Sequence, residues 1–288
     1  MTRMTATPAA SETLDPDPAT PAARGSAVAA AGALCGRELV RFLRQRNRVL
    51  GAIGTPVVFW LVLGLGLNDA FVAPTGGVAS GGEGVGYLAY FFPGSALLIV
   101  MFTAIFATIG VIEDRREGFL QGVMASPTPR SAIVAGKVLG GAILAAGQAG
   151  VFMLAWPLVV GGGEAVGGPS AAKALMAAAG VGVVALELNA IGLALAWPMT
   201  STSGFHAIMN LLLMPAWLLS GAVFPLAAAP GVLQAVMWVN PLTYAHAAIA
   251  GPVLGEAVAV PWGVAMGVSG AVAVVAWVAA AAVARRVA

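Results

Sequence analysis

"EDRREGFLQGVMASPTPR", Glu113 to Arg130, opens on five consecutive charges, Glu113, Asp114, Arg115, Arg116 and Glu117, set between two long apolar stretches. Only 9% of the 288 residues are Asp, Glu, Lys or Arg, so a knot of this density needs a reason. A soluble domain carries about 25% charged residues, and this inventory is too poor to cover a water-facing surface. The chain is 59% hydrophobic. Apolar runs of roughly twenty residues recur, each long enough for a hydrocarbon core of about 30 Å, so the stretches beside the knot read as membrane-crossing helices. The 38 glycines and many alanines suit helices that approach closely inside a bilayer.

Outward from the knot, the apolar pattern predicts an all-α integral membrane protein with six transmembrane helices. They fall near 49–67, 88–112, 138–160, 174–197, 207–226 and 262–284. Arg37, Arg41, Arg44, Arg46 and Arg48 precede the first span. Arg115, Arg116, Arg130 and Lys137 lie between the second and third, and Arg285 and Arg286 follow the sixth. The opposite side holds only Lys173, so both termini and the knot are expected in the cytoplasm. A net charge of +2 with basic residues gathered beside spans argues against a nucleic-acid surface. The single cysteine, Cys35, excludes an internal disulfide, and with two histidines leaves no zinc cluster.

Residues 1–30, rich in Ala, Pro, Thr and Ser, read as a disordered cytoplasmic tail, with the transmembrane domain over 31–288. "LCGRELVRFLRQRNRVL" sets Leu34, Leu39, Phe42 and Leu43 towards one side of a helix and arginines on the other. That predicts an interfacial amphipathic helix meeting anionic lipid. Between the fifth and sixth spans, Pro230, Pro241, Pro252 and Pro261 divide an apolar segment into pieces too short to cross. "GVLQAVMWV" and "NPLTYAHAAIAG" read as re-entrant half-helices at the outer leaflet, placing Asn240 and Tyr244 in a candidate pathway wall.

Within the knot, Phe119, Leu120, Val123 and Met124 fall on one face of a short helix whose acidic start suits its macrodipole. A mechanical handle and a simple positive-inside anchor both fit that pattern. "REGFLQGVMASPTPRSAIVAGKVLGG", "LLSGAVFPL" and "GVLQAVMWVNPLTY", in this order on a six-span layout, resemble type-2 ABC transporter permeases, the daunorubicin-resistance and nodulation-type branch in particular. The resemblance implies a coupling helix docking on an ABC ATP-binding subunit. Glu113, Arg116, Glu117, Gly118, Phe119, Leu120, Pro127, Arg130 and Lys137 carry that ATPase-coupling pattern. It implies ATP and Mg bound by the partner and no cofactor in this chain. It also implies a dimer of permeases, this chain with a second copy or a homologous permease, over an ATPase dimer in a bacterial plasma membrane. The implied activity is export of hydrophobic or amphipathic small molecules, an antibiotic, drug or lipid. Polysaccharide or lipid-linked glycan export is the rival within the family. Thr128-Pro129, Ala247 and Ala250 depart from the family's usual residues.

Other features point elsewhere. "IVAGKVLGG" has Ser131 and Val138 where a phosphate loop needs Gly and a hydroxyl, so nucleotide binding is excluded. "GVSG", Gly267 to Gly270, resembles the serine motif of intramembrane rhomboid proteases, but no histidine follows Ser269 to serve as base. Glu187 sits mid-span, where a charge costs at least about 2.5 kcal/mol. One reading makes it, with Asn189 and Asn210, part of a translocation pathway or an ion-coupled transporter; the other bonds it to one of those asparagines. His206 and Asn210 lie at helical spacing and read as polar packing.

Overall fold

The computed structural model describes residues 22–68, 86–126, 128–160 and 170–286, and every regular element among them is a helix. In chain order these are α1 (Ala22–Arg44), α2 (Arg46–Gly66), the single turn α3 (Tyr87–Tyr90), α4 (Phe92–Arg116), α5 (Phe119–Ala125), α6 (Arg130–Met153), α7 (Trp156–Val160), α8 (Ala171–Ala196), α9 (Thr202–Leu218), α10 (Gly231–Val239), α11 (Pro241–Leu254) and α12 (Trp262–Arg286). Pro127 and residues 1–21 of the expected tail lie outside the described residues, while residues 22–30 begin α1.

Five helical stretches are long and apolar enough to cross a bilayer: Arg46–Gly66, Tyr87–Arg116, Arg130–Val159, Ala171–Ala196 and Trp262–Arg286. The fifth expected span, 207–226, is shorter than the sequence suggested. Ser201 caps α9, its hydroxyl accepting from Gly204 N at 3.1 Å, and the helix stops at Leu218 after 17 residues. That is about 25 Å at 1.5 Å per residue. It ends where the Ser220 hydroxyl donates to Trp217 O at 2.7 Å and Gly221 takes a φ of 87°, a left-handed turn that a side chain disfavours. Residues 219–226 therefore form a turn, not the last third of a span.

α4 is the axis of the bundle. Nearly every residue from Phe92 to Ile112 is buried, and α2, α6, α8, α9 and α11 pack around it. The outward faces are apolar instead of polar. Val58, Phe59, Val62 and Leu65 on α2, and Val274, Val275 and Val278 on α12, are exposed. Such a surface is stable against hydrocarbon and not against water, so the chain is a multi-pass membrane protein. Helices meet at small residues, where a Cβ on Gly94 would lie 2.8 Å from Ala222 Cβ, and one on Gly180 would collide with Ala248 O. At the end where α4 begins, Phe92 and Phe152 stack at 4.3 Å between Trp60 and Trp156.

The segment between α9 and α12 divides at Asn240, as its prolines predict. Pro241 occupies the first turn of α11, where its missing N–H costs nothing. Asn240 caps that helix by accepting from Leu242 N at 3.0 Å. α11 is buried against α4, α8 and α12, while Val232, Trp238 and Val239 of α10 are exposed.

Candidate functional site

The charged knot closes on the N-terminal helix. Arg37 and Arg41 stand one turn apart on α1, and Arg48 follows in the first turn of α2. Instead of meeting lipid headgroups, these three arginines turn inward to the end of α4. Arg37 holds Asp114 in a two-pronged grip, donating from Nη2 to Oδ1 at 2.9 Å and from Nη1 to Oδ2 at 3.2 Å. Arg41 donates to Asp114 Oδ1 and to Glu113 Oε2, each at 2.7 Å, and Arg48 reaches the other oxygen of Glu113.

From the far side Lys137 of α6 donates to Asp114 Oδ2 and, at 2.6 Å, to Glu38 Oε1. Lys137 is an interior residue of its helix because α6 begins at Arg130, earlier than the expected 138, and its ammonium is satisfied by two carboxylates. Four cations and three carboxylates thus tie α1, α2, α4 and α6 into one corner. Asp114 at 0% exposure is its hub.

Burial opposes the charge of Arg37. The hydrogen bond and charge of Asp114, with Glu38 and Glu117 beyond, nevertheless raise its pKa above the ordinary guanidinium value. Burial, then Glu38, pushes up the pKa of the Cys35 thiol, which makes it a sluggish nucleophile. The same face of α1 packs on α6 at glycines. A Cβ on Gly136 would lie 2.7 Å from Leu34 Cβ and 2.8 Å from Ala31 O, and one on Gly140 would lie 2.9 Å from Glu38 Cβ. Two glycines one turn apart let the backbones close until Glu38 and Lys137 meet.

α5 hangs from this corner. Gly118, at φ 78°, makes the left-handed turn that reverses the chain after α4. The Phe119 ring then lies under the Arg37 guanidinium, 3.6 Å from its carbon, so one arginine binds α1, α4 and α5 together. Leu120, given a docking role by the resemblance, is 1% exposed and belongs to an inner cluster with Val111, Ile133, Val134 and Trp197. The face that periodicity gathered is thus the inner one. Arg116, Glu117, Gly118, Gln121, Gly122 and Ala125 are exposed. Between α1 and α5 runs an open groove of about 450 Å³ lined by Ala30, Ala33, Leu34, Phe119, Gly122 and Val123. Arg115 donates to Trp197 O at the end of α8, and Arg130 to Arg285 O at 2.7 Å, which fastens α12 to the same end.

The expected pathway residues do not gather at one point. Glu187 lies towards Ser269 of α12 with neither oxygen hydrogen-bonded among the described residues. Asn189 donates to Ala185 O at 2.8 Å and abuts Gly141 of α6, so it does not bond Glu187. Asn210 on α9 has a buried oxygen with no partner among the described residues. Asn240 donates to Ala216 O at 2.6 Å and Leu219 O at 3.1 Å, and Tyr244 to Trp238 O at 2.9 Å. Those two fasten a corner of backbone.

Sequence reasoning missed Asp114, Glu38 and the inward role of Arg37, Arg41 and Arg48. One signal was there: Lys137, near an otherwise apolar helix, requires a buried carboxylate.

No curated protein sequence matches the chain. Residues 30–253 match the family described as ABC-2 type transporter, a stretch that takes in the clamp, α5, α10 and nearly all of α11. The chain therefore belongs to the ABC-2 type transporter family and is a membrane-spanning ABC exporter permease, a transport subunit.

Proposed function

We propose that this permease is driven by ATP hydrolysis on a separate ABC subunit, which docks on α5, and that it moves hydrophobic or amphipathic small molecules outward across a bacterial plasma membrane. ATP and Mg are held by that partner. Two permeases, identical or homologous, stand over two ATPases.

The division of α5 into two faces is the observation that carries this reading. Its inner side is bolted by Phe119 and Leu120, while Gln121 and Ala125 face outward beside an apolar groove. A helix of seven residues has little stability of its own, so a push on its outer face passes to whatever anchors it. Arg37, Asp114 and Lys137 hand that push to α1, α4 and α6 together. Arg130, Arg285 and the clamp arginines at one end of the bundle support a cytoplasmic position for that end and for both termini.

Thiol-reactive photocrosslinkers at Gln121→Cys and Ala125→Cys, in a Cys35→Ser background, test the docking. Adducts with a co-purifying nucleotide-hydrolysing subunit are expected from both positions and not from Leu211→Cys on the exposed side of α9. Labelling of Gln121→Cys by an impermeant thiol reagent added outside intact cells contradicts it.

A further inference from the structure

We propose that Arg44 and Arg46, at the break between α1 and α2, bind the phosphate of an anionic phospholipid in the leaflet at the clamp end of the bundle. The sequence places five arginines within residues 37–48, and the structure divides them. Arg37, Arg41 and Arg48 are paired with Asp114 and Glu113. Arg44 and Arg46 are exposed, and neither takes part in a hydrogen bond or ion pair among the described residues. Gln45 between them leaves the helical path, at φ −89° and ψ 74°, and two residues of chain span at most about 7 Å. Two free guanidinium groups therefore stand within reach of one headgroup.

What surrounds them is apolar and equally uncovered. Val40 lies one turn before Arg44 and Leu50 one turn after Arg46, and with Leu43 they are more than half exposed. The exposed side of α2 continues through Val58, Leu61, Val62 and Leu65. From Arg46 to Leu65 is about 29 Å at 1.5 Å per residue, close to the ~30 Å of hydrocarbon in a bilayer. With that side of α2 against lipid tails, Arg46 comes to the plane of the headgroup phosphates.

A protein that took the two cations would also have to cover Leu43 and Leu50, which are continuous with the side chains that hydrocarbon covers along the rest of α2. A phospholipid satisfies both at once, its tails on the apolar residues and its phosphate on the arginines. A guanidinium meets a phosphate with paired N–H donors. Each such cation near the surface favours an anionic lipid by about fivefold. A zwitterionic head carries its own cation beside the phosphate, so the selectivity is for heads of net negative charge. The lipid contact uses neither the docking on α5 nor the direction of transport.

The full-length permease in neutral detergent is titrated with phosphatidylglycerol and, separately, with phosphatidylcholine of the same chains, and native mass spectrometry counts the bound lipid. Phosphatidylglycerol is expected to bind more tightly and to saturate. Arg44→Gln and Arg46→Gln should each weaken it about fivefold, and together about twenty-five-fold. Phosphatidylcholine binding and lipid-free thermal stability should not change. Arg286→Gln, which removes an exposed cation at the end of α12, should leave the affinity unaltered. Equal affinity for the two lipids, an undiminished affinity in the double variant, or an equal loss in Arg286→Gln overturns the proposal. So does displacement of the lipid by millimolar inorganic phosphate, which assigns the arginines to a soluble anion. Loss of a co-purifying ATP-binding subunit in the double variant, at unchanged lipid affinity, overturns it in favour of a protein partner. The two single variants decide if the double variant fails to fold.

Discussion

Two carboxylates in this molecule are both 0% exposed and otherwise share little. Asp114 is gripped by Arg37, Arg41 and Lys137, and through them joins three helices. Glu187, deep in α8, lies towards a serine and takes part in no ion pair among the described residues. A buried charge is costly in either setting. At Asp114 that cost is offset by partners brought from distant parts of the chain, and the result is a joint that carries α5. At Glu187 nothing of the kind is assembled. Burial alone therefore says little about a role; what a buried acid holds together says more.

The contrast can be broken or sharpened by substitution. Asp114→Ala should be the most damaging, at about 3–5 kcal/mol, because it leaves buried cations without their hub. SDS-unfolding titration of purified protein measures it, and a loss under 1 kcal/mol would put Asp114 on a level with Glu187. Gly136→Leu overfills the contact between α1 and α6 and should cost about 1–3 kcal/mol, drawing Glu38 away from Lys137. The same titration reads it, and changing Gly122 instead, where an added Cβ meets open space, should leave stability unchanged. Gly118→Ala strains the reversal before α5 by about 1–2 kcal/mol without touching a charge. Proteolysis between α4 and α6 should rise in that variant while the rest of the bundle resists. Glu187→Gln should change unfolding least, by under about 1 kcal/mol, since an isosteric amide replaces an acid that has no cation to lose. Abolished export at intact stability would restore Glu187 as a cargo or proton site and dissolve the comparison.

The bundle was legible in the sequence wherever hydropathy alone decides: α2, α4, α6, α8 and α12 fall where apolar runs lie, and the break at Asn240–Pro241 follows from proline chemistry. α9 was overextended because residues 219–226 are as apolar as a span; only the Gly221 turn and the Ser220 bond end the helix, and neither changes hydropathy. The α5 segment was legible as a short helix, and its four apolar residues do share a face. Which way that face points was not, because Leu120 is buried by residues near 34, 111, 134 and 197, contacts no local window contains. Arg37 and Arg41 failed for the same reason. Arginines beside a span ordinarily meet lipid, and their actual partner sits more than seventy residues away.

A double-mutant cycle between Arg37→Ala and Asp114→Ala, read by the same unfolding titration, tests most directly whether the knot is a joint. Residues in one ion-pair network are coupled by about 0.5–3 kcal/mol, and the two-pronged grip places this pair at the upper end. We expect the double variant to lose about 2 kcal/mol less than the two single losses added together. Strict additivity would mean that the two charges are neighbours and nothing more, and that α5 is not anchored through them.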